Sequence, residues 1–201
     1  MKFTDEGKTN ALDALINNCR KVSIAAHIRP DGDAIGSTLA FRCYLEARGC
    51  DAVVIYSDKV PETLKFMRKG TPSDRIIEYP VSCGKALERI EESDLLVCMD
   101  CNSFRRTGDI MPALERSSAR KVLIDHHLGP DSGSFDIVFS ETAVSSACEL
   151  LYRILMSMPD IGGDASRLPA VSASAMMTGM TTDTNNFSNS VFPSTLEMAS
   201  D

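Results

Sequence analysis

The chain has 201 residues, 43% of them hydrophobic and 24% charged, which suits one globular domain with a sizeable apolar core. Its net charge of −7 disfavours a broad basic face that grips long duplex nucleic acid. No apolar run approaches the ~20 residues needed to cross a bilayer, residues 1–6 lack the apolar stretch of a secretory signal, and seven irregularly spaced cysteines point to reducing cytoplasm rather than a disulfide framework.

Strand and helix patterns then alternate along the chain. A first helix over 11–19 precedes a buried strand over 21–28, and a helix over 34–48 ends at Gly49. A strand at 51–56, a short helix at 62–69, a weak strand at 75–79 and a helix at 84–92 follow. The strand at 95–99 is the strongest. A short helix at 110–116, strands at 121–124 and 136–139, and two longer helices at 143–158 and 165–180 complete the pattern. Short apolar strands separated by amphipathic helices predict an α/β fold with a doubly wound, mainly parallel sheet flanked by helices. Residues 193–201 read as the capped start of a further helix, with Ser194 or Thr195 as N-cap, so a truncated domain is the expectation.

All three histidines lie in two aspartate-bearing clusters, His27-Ile28-Arg29-Pro30-Asp31-Gly32-Asp33 and Asp125-His126-His127, each directly after an apolar strand pattern. Asp100 ends the 95–99 strand in the same way, and Asp183 ends the last helix. Strand ends of such a sheet converge on one crevice. Oxygen-rich ligation with one imidazole per ion suits Mn²⁺ or Mg²⁺ better than structural Zn²⁺. Five aspartates and three histidines exceed the needs of one ion, and paired ions about 3.5–4 Å apart serve phosphoryl transfer. Each cluster alone also has a plainer reading: a solvated Asp-Gly-Asp turn, a strand-terminal acid, an ordinary helix exit. Cys98 and Cys101 form a C-x-x-C pattern without a second pair, and read as small buried strand residues. Met176, Met177 and Met180 read as core, and Ser145-Ser146 as a helix cap or a phosphate donor.

Taken together, His27-x-x-Pro30-Asp31-Gly32-Asp33-Ala34-x-Gly36-Ser37, Asp100, Asp125-His126-His127 and Gly179-x-x-Thr182-Asp183-Thr184 resemble the four motifs of the DHH phosphoesterase superfamily, over residues 27–187 and in the family's order. The pattern is most similar to the nanoRNase/3′-phosphoadenosine 5′-phosphate phosphatase group, whose DHH domain precedes a smaller substrate-binding DHHA1 domain, not present in these residues. The resemblance implies two Mn²⁺ ions, with Mg²⁺ or Co²⁺ as substitutes. His27, Asp31 and Asp100 would hold one, and Asp33, Asp100, His126 and Asp183 the other, with Asp100 bridging. His127 would face the scissile phosphate, Asp125 would orient a histidine, and Arg106 takes the place of the family's arginine. Asn185 stands where the family usually has glycine. The implied activity is hydrolysis of short oligoribonucleotides or 3′-phosphoadenosine 5′-phosphate, with cyclic dinucleotides, pyrophosphate or a non-catalytic regulatory role as alternatives. The implied partners are short RNA or a small phosphorylated nucleotide, with no long duplex and no membrane, and a homodimer is left open.

Overall fold

A computed structural model describes residues 5–201; residues 1–4, part of the signal-free start read above, lie outside the described residues. In chain order the elements are α1 (Glu6–Asn18), β1 (Lys21–Ala25), α2 (Gly32–Ala47), β2 (Asp51–Tyr56), β3 (Ile76–Glu78), α3 (Tyr79–Glu91), β4 (Leu95–Met99), α4 (Met111–Arg116), β5 (Arg120–Asp125), β6 (Ile137–Ser140), α5 (Ala147–Ser157), α6 (Ala170–Asp183) and α7 (Pro193–Ser200). The six strands form one all-parallel sheet in the order β3-β2-β1-β4-β5-β6. The order reverses between β1 and β4, the point at which a doubly wound sheet opens a crevice at its carboxyl edge.

Side chains that alternate along each strand build a core on each face. On β1 and β4, Val22, Ile24, Leu95, Val97 and Met99 face the layer that contains α1, α2, α5 and α6. Ala25, Leu96 and Cys98 face α3 and α4 through Ala86, Ile90 and Leu114. Two-sided burial explains why these strands read as continuous apolar runs. Helix α2 is buried almost all round, from Gly32 to Leu45, because α6 covers the side that β1 and β2 do not. Among the described residues no helix is long and apolar enough to cross a membrane.

Several boundaries differ from the sequence expectation, each for a local reason. β1 stops at Ala25, so residues 26–28 leave the sheet and lift His27 above its edge. Helix α2 starts at Gly32 rather than residue 34, because Asp31 caps it and accepts the amides of Asp33 and Ala34 at 3.1 and 3.0 Å. Residues 62–68 form a 3₁₀ helix, and Pro80 opens α3 five residues ahead of the expected start. Helix α5 starts at Ala147, since extended Ser146 caps it by accepting from the Glu149 amide. Of the two readings of Ser145-Ser146, Ser146 is therefore the cap. The helix expected over 165–180 is delayed to Ala170, after Pro169. Phe192, rather than Ser194 or Thr195, holds the N-cap position of α7, and its amide donates to Thr195 Oγ1 at 3.0 Å. Those two hydroxyls lie inside its first turn and donate to the fully buried carboxylate of Glu149, at 2.5 and 2.6 Å. Met176 and Met180 are core, but Met177 is 39% exposed on the outer face of α6. Cys98 and Cys101 are buried and unpaired.

The contact of α2 with α6 is backbone against backbone. A Cβ on Gly36 would lie 2.5 Å from the Ala175 carbonyl oxygen and 3.1 Å from the Gly179 Cα. A Cβ on Gly179 would lie 2.4 Å from the Cys148 sulfur and 3.1 Å from the Cα of Asp33. Neither neighbour backbone can step aside alone. Gly36→Ala should cost about 1–3 kcal/mol despite alanine's better helix propensity, read as a lower urea midpoint at unchanged slope. A variant as stable as the parent would show that the two helices have room to part.

Candidate metal centre

Four elements deliver acids and imidazoles to the switch point between β1 and β4. His27 follows β1, and its Nε2 lies 3.3 Å from Asp100 Oδ2 and 3.6 Å from Asp31 Oδ2. Asp100 follows β4 and is 2% exposed, with its backbone in the left-handed region at φ 53°. That conformation is rare for a non-glycine residue and marks a position fixed by its surroundings. His126 follows β5, its Nε2 lying 3.4 Å from Asp100 Oδ1, 3.6 Å from Asp183 Oδ2 and 3.8 Å from Asp33 Oδ2. Asp100 thus turns one oxygen to the His27–Asp31 group and the other to the group of Asp33, His126 and Asp183.

The helices supply the remaining acids. Asp33, in the first turn of α2, is fully buried and accepts the amides of Ala147 at 2.6 Å and Cys148 at 2.9 Å. Those amides open α5, so the positive end of that helix dipole holds the carboxylate. Asp183 lies in the last turn of α6 and is the more open of the two. Asp125 is completely buried. Its Oδ1 accepts from His127 Nδ1 at 2.7 Å, and its Oδ2 from the His127 amide at 3.0 Å. A carboxylate only accepts, so Nδ1 carries the proton and Nε2 is left for the crevice. His127 Nδ1 also lies 3.7 Å from Asp100 Oδ1, but Asp125 already engages it.

Nine residues were singled out in the sequence, and eight of them share this cluster. Arg106 is the ninth. It is half-buried on the β4 exit loop, its carbonyl accepting the amide of Ile28 at 2.8 Å, and its side chain makes no ion pair among the described residues. That bond ties the loops after β1 and β4 together, and Ser57 after β2 joins them by donating to the Thr107 carbonyl. Sequence reasoning missed the part played by α5, whose first amides seat Asp33. It also missed Glu149, whose buried carboxylate fixes the start of α7. Neither residue belongs to a motif; the capping serine at 146 was the available signal.

The profile of the DHH family, N-terminal domain, matches residues 21–180. The chain belongs to the DHH family. It is 30% identical over 196 residues to the cyclic-di-AMP phosphodiesterase PdeA of Listeria monocytogenes serotype 1/2a (strain 10403S), a match that covers 96% of this chain and 29% of that protein. It is 24% identical over 204 residues to the cyclic-di-AMP phosphodiesterase GdpP of Geobacillus thermodenitrificans (strain NG80-2), again over 96% of this chain and 29% of the relative. The chain therefore spans less than a third of the curated relatives it matches. An exopolyphosphatase-related protein from Bacteroides fragilis superposes with a TM-score of 0.90 at 29% identity, over 100% of this chain and 57% of the other. RecJ in complex with Mn²⁺ from Thermus thermophilus shares the fold, with a TM-score of 0.52 at 16% identity over 89% of this chain and 24% of its own.

The donor set of this DHH domain fits divalent cations. Asp100 Oδ1 is buried without a hydrogen-bond partner, an expensive state for a carboxylate oxygen unless a cation completes it. Two groups, His27–Asp31–Asp100 and Asp33–His126–Asp183, each converge with their donor atoms within 4.8 Å of one another. Oxygen-dominated ligation with one imidazole in each group suits Mn²⁺ or Mg²⁺. The charges respond to this crowding. Burial opposes charging His27, but Asp100 and Asp31 outweigh it and hold its pKa at about 10. Burial likewise opposes charging His126, and Asp100 with Asp33 raises it to about 9. For Asp31, burial is overcome by His27 and the cap amides, and the carboxyl falls to about 2. Asp33 goes the other way: burial, then Asp100 and Asp183, push it well above the carboxylate range.

Both imidazoles hold a proton at pH 7 when no cation is present, and ligation requires the neutral ring. Cation binding should therefore release protons at pH 7, and the apparent affinity should rise with pH up to about 9–10. Calorimetry of Mn²⁺ binding in two buffers of different ionisation enthalpy reads this directly. Equal heats in both buffers would place neutral histidines in the cation-free site.

Proposed function

We propose that this domain is a Mn²⁺-dependent phosphohydrolase that cleaves the phosphoester bonds of short oligoribonucleotides or 3′-phosphoadenosine 5′-phosphate. The observation that carries the reading is Asp100, a buried carboxylate with one oxygen turned to each of two His/Asp groups, which is the arrangement of a bridging ligand. His27, Asp31 and Asp100 would hold one cation, and Asp33, Asp100, His126 and Asp183 the other. Two such cations supply a nucleophilic water at neutral pH and neutralise charge on the phosphate.

The chain's own residues do the rest. Asp125 fixes the tautomer and direction of His127, which presents Nε2 to the crevice. When the ring is charged, Nε2–H would donate to a non-bridging phosphate oxygen or hand its proton to the departing alkoxide. Arg106, half-buried on the loop after β4, would meet a substrate phosphate. The α5 amides keep Asp33 from drifting towards the other acids.

A second reading, hydrolysis of a cyclic dinucleotide, is favoured by one specific observation: both curated relatives named above are cyclic-di-AMP phosphodiesterases. A parallel assay with Mn²⁺ against 3′-phosphoadenosine 5′-phosphate, two- to five-residue RNA, cyclic di-AMP and pyrophosphate separates the readings. Turnover confined to cyclic di-AMP would replace the first reading by the second, and no turnover of any would remove both.

Asp100→Ala should be the most damaging single change, because both cation groups lose a ligand. Bound Mn²⁺, measured by atomic emission after gel filtration, should drop by at least one equivalent, and kcat should fall by about 10³-fold or more, on the order of what losing the reaction's electrostatic centre costs. Full metal content with normal turnover in that variant would overturn the bridging role.

A further inference from the structure

Beyond the acids and imidazoles, exposed apolar residues adjoin the site residues along the chain. Of the nine exposed large apolar side chains among the described residues, three stand within four positions of a site residue: Ile28 beside His27, Leu128 beside His127, and Phe187 after Asp183. Phe187 is the aromatic one and is 38% exposed. It sits on an unusual turn. Asn185, Asn186 and Phe187 all have left-handed backbones, at φ 47°, 56° and 61°. Such residues cost roughly 1–2 kcal/mol each and rarely occur in succession. The turn is locked by short-range bonds: the Phe187 amide donates to Thr184 Oγ1 at 3.0 Å, and the Ser188 and Asn189 amides both donate to the Thr184 carbonyl at 2.9 Å. Thr184 is itself fully buried, with its hydroxyl on the Met180 carbonyl at 2.8 Å. Close by in the chain, Thr182 packs so tightly on the start of α2 that a Cβ on Gly32 would meet its Oγ1.

An exposed aromatic residue thus follows Asp183 by four positions, on backbone that folding alone would avoid. Strain of this kind, kept by over-determined surroundings, collects at ligand sites. Asn185, Asn186 and Asn189, the neighbours of Phe187 in the turn, are exposed, and no side-chain hydrogen bond of theirs occurs among the described residues. An exposed aromatic ring in a turn with free side-chain amide donors and acceptors suits a purine or pyrimidine, which stacks through its π-face and bonds along its edge. We infer that Phe187 is a base-stacking residue, so that this site selects phosphoesters that bear a nucleobase over base-free polyphosphates. The inference rests on the phosphohydrolase reading above and assigns recognition of the substrate's base to a named residue.

The chain contains no tryptophan, so Phe187→Trp installs a single fluorophore at the proposed platform. With Mn²⁺ present, adenosine 5′-monophosphate should quench its emission saturably, while ribose 5-phosphate leaves it within about a fifth of that change. Equal responses to the two, or none to either, would overturn the inference. Activity gives an independent arm. In Phe187→Ala the ratio of kcat/KM for a diadenylate to that for tripolyphosphate should fall about tenfold or more, in line with the loss of one stacked base, and Phe187→Tyr should restore it. An unchanged ratio would also overturn the inference. Quenching by the nucleotide in a protein that hydrolyses no phosphoester supports the base platform and removes the phosphohydrolase reading; hydrolysis without quenching and with an unchanged ratio does the reverse.

Discussion

The structure depends on holding four carboxylates where they repel one another. Asp31, Asp33, Asp100 and Asp183 meet at one sheet edge with two imidazoles among them, and water is excluded from Asp33 and Asp100. Repulsion is screened least between Asp33 and Asp100, the two buried acids. The protonation states follow from that repulsion: both histidines take up protons well above their ordinary range, and Asp33 is driven towards its neutral form. In the cation-free protein the site recruits protons in the role that divalent ions are suited to fill.

The fold answers this repulsion with fixed backbone rather than flexible cations. Among the described residues, the ion pairs of the inner cluster run between carboxylates and imidazoles, with no lysine or arginine taking part. Asp31 is seated on the amides of its own helix, and Asp33 on those of α5, so each carboxylate is met by oriented dipoles. Such donors hold a carboxylate in place while leaving lone pairs on the crevice side, because a carboxylate has about four acceptor positions and the amides use only some of them. A buried arginine in their place would neutralise the acid and close it to an ion. The glycines of the motifs serve the same end: Gly36 and Gly179 let α2 and α6 touch backbone to backbone, and this contact brings Asp33 and Asp183 to the same imidazole.

This division explains what could be read in the sequence. His27, Asp100 and the Asp125–His127 run each follow an apolar strand, and once the strands are recognised their convergence follows from the geometry of a parallel sheet. The α/β class was legible for the same reason. The helix starts were less so. Asp31 reads as a turn residue until its side chain is seen to cap α2, and residues 143–146 look helical until Ser146 is seen to stop them by accepting from Glu149. The seat of Asp33 was not legible at all, because its amide partners lie 114 and 115 positions away and an amide has no residue type to betray it. Asn185 is the opposite case: a departure from a familiar glycine that the backbone explains, since φ 47° is a conformation asparagine tolerates better than most side chains.

The two cation groups do not rest on equal foundations. His27 and Asp100 leave adjacent strands, β1 and β4, paired from Val22 with Leu95 to Ala25 with Cys98, and Asp100 donates its own amide to the Ile124 carbonyl at 3.0 Å. Moving them means breaking ladder hydrogen bonds in the middle of the sheet. Asp33 and Asp183 ride on helices whose relation depends on a glycine-lined contact, and Asp183 sits in a last helical turn beside the strained run of Asn185, Asn186 and Phe187. Asp33 has the α5 amides to hold it in addition, so Asp183 is the acid whose place depends most on helix packing. Asp183, 3.6 Å from His126, and Phe187 thus share one chain segment, so the position of the acid and that of the aromatic residue are fixed together.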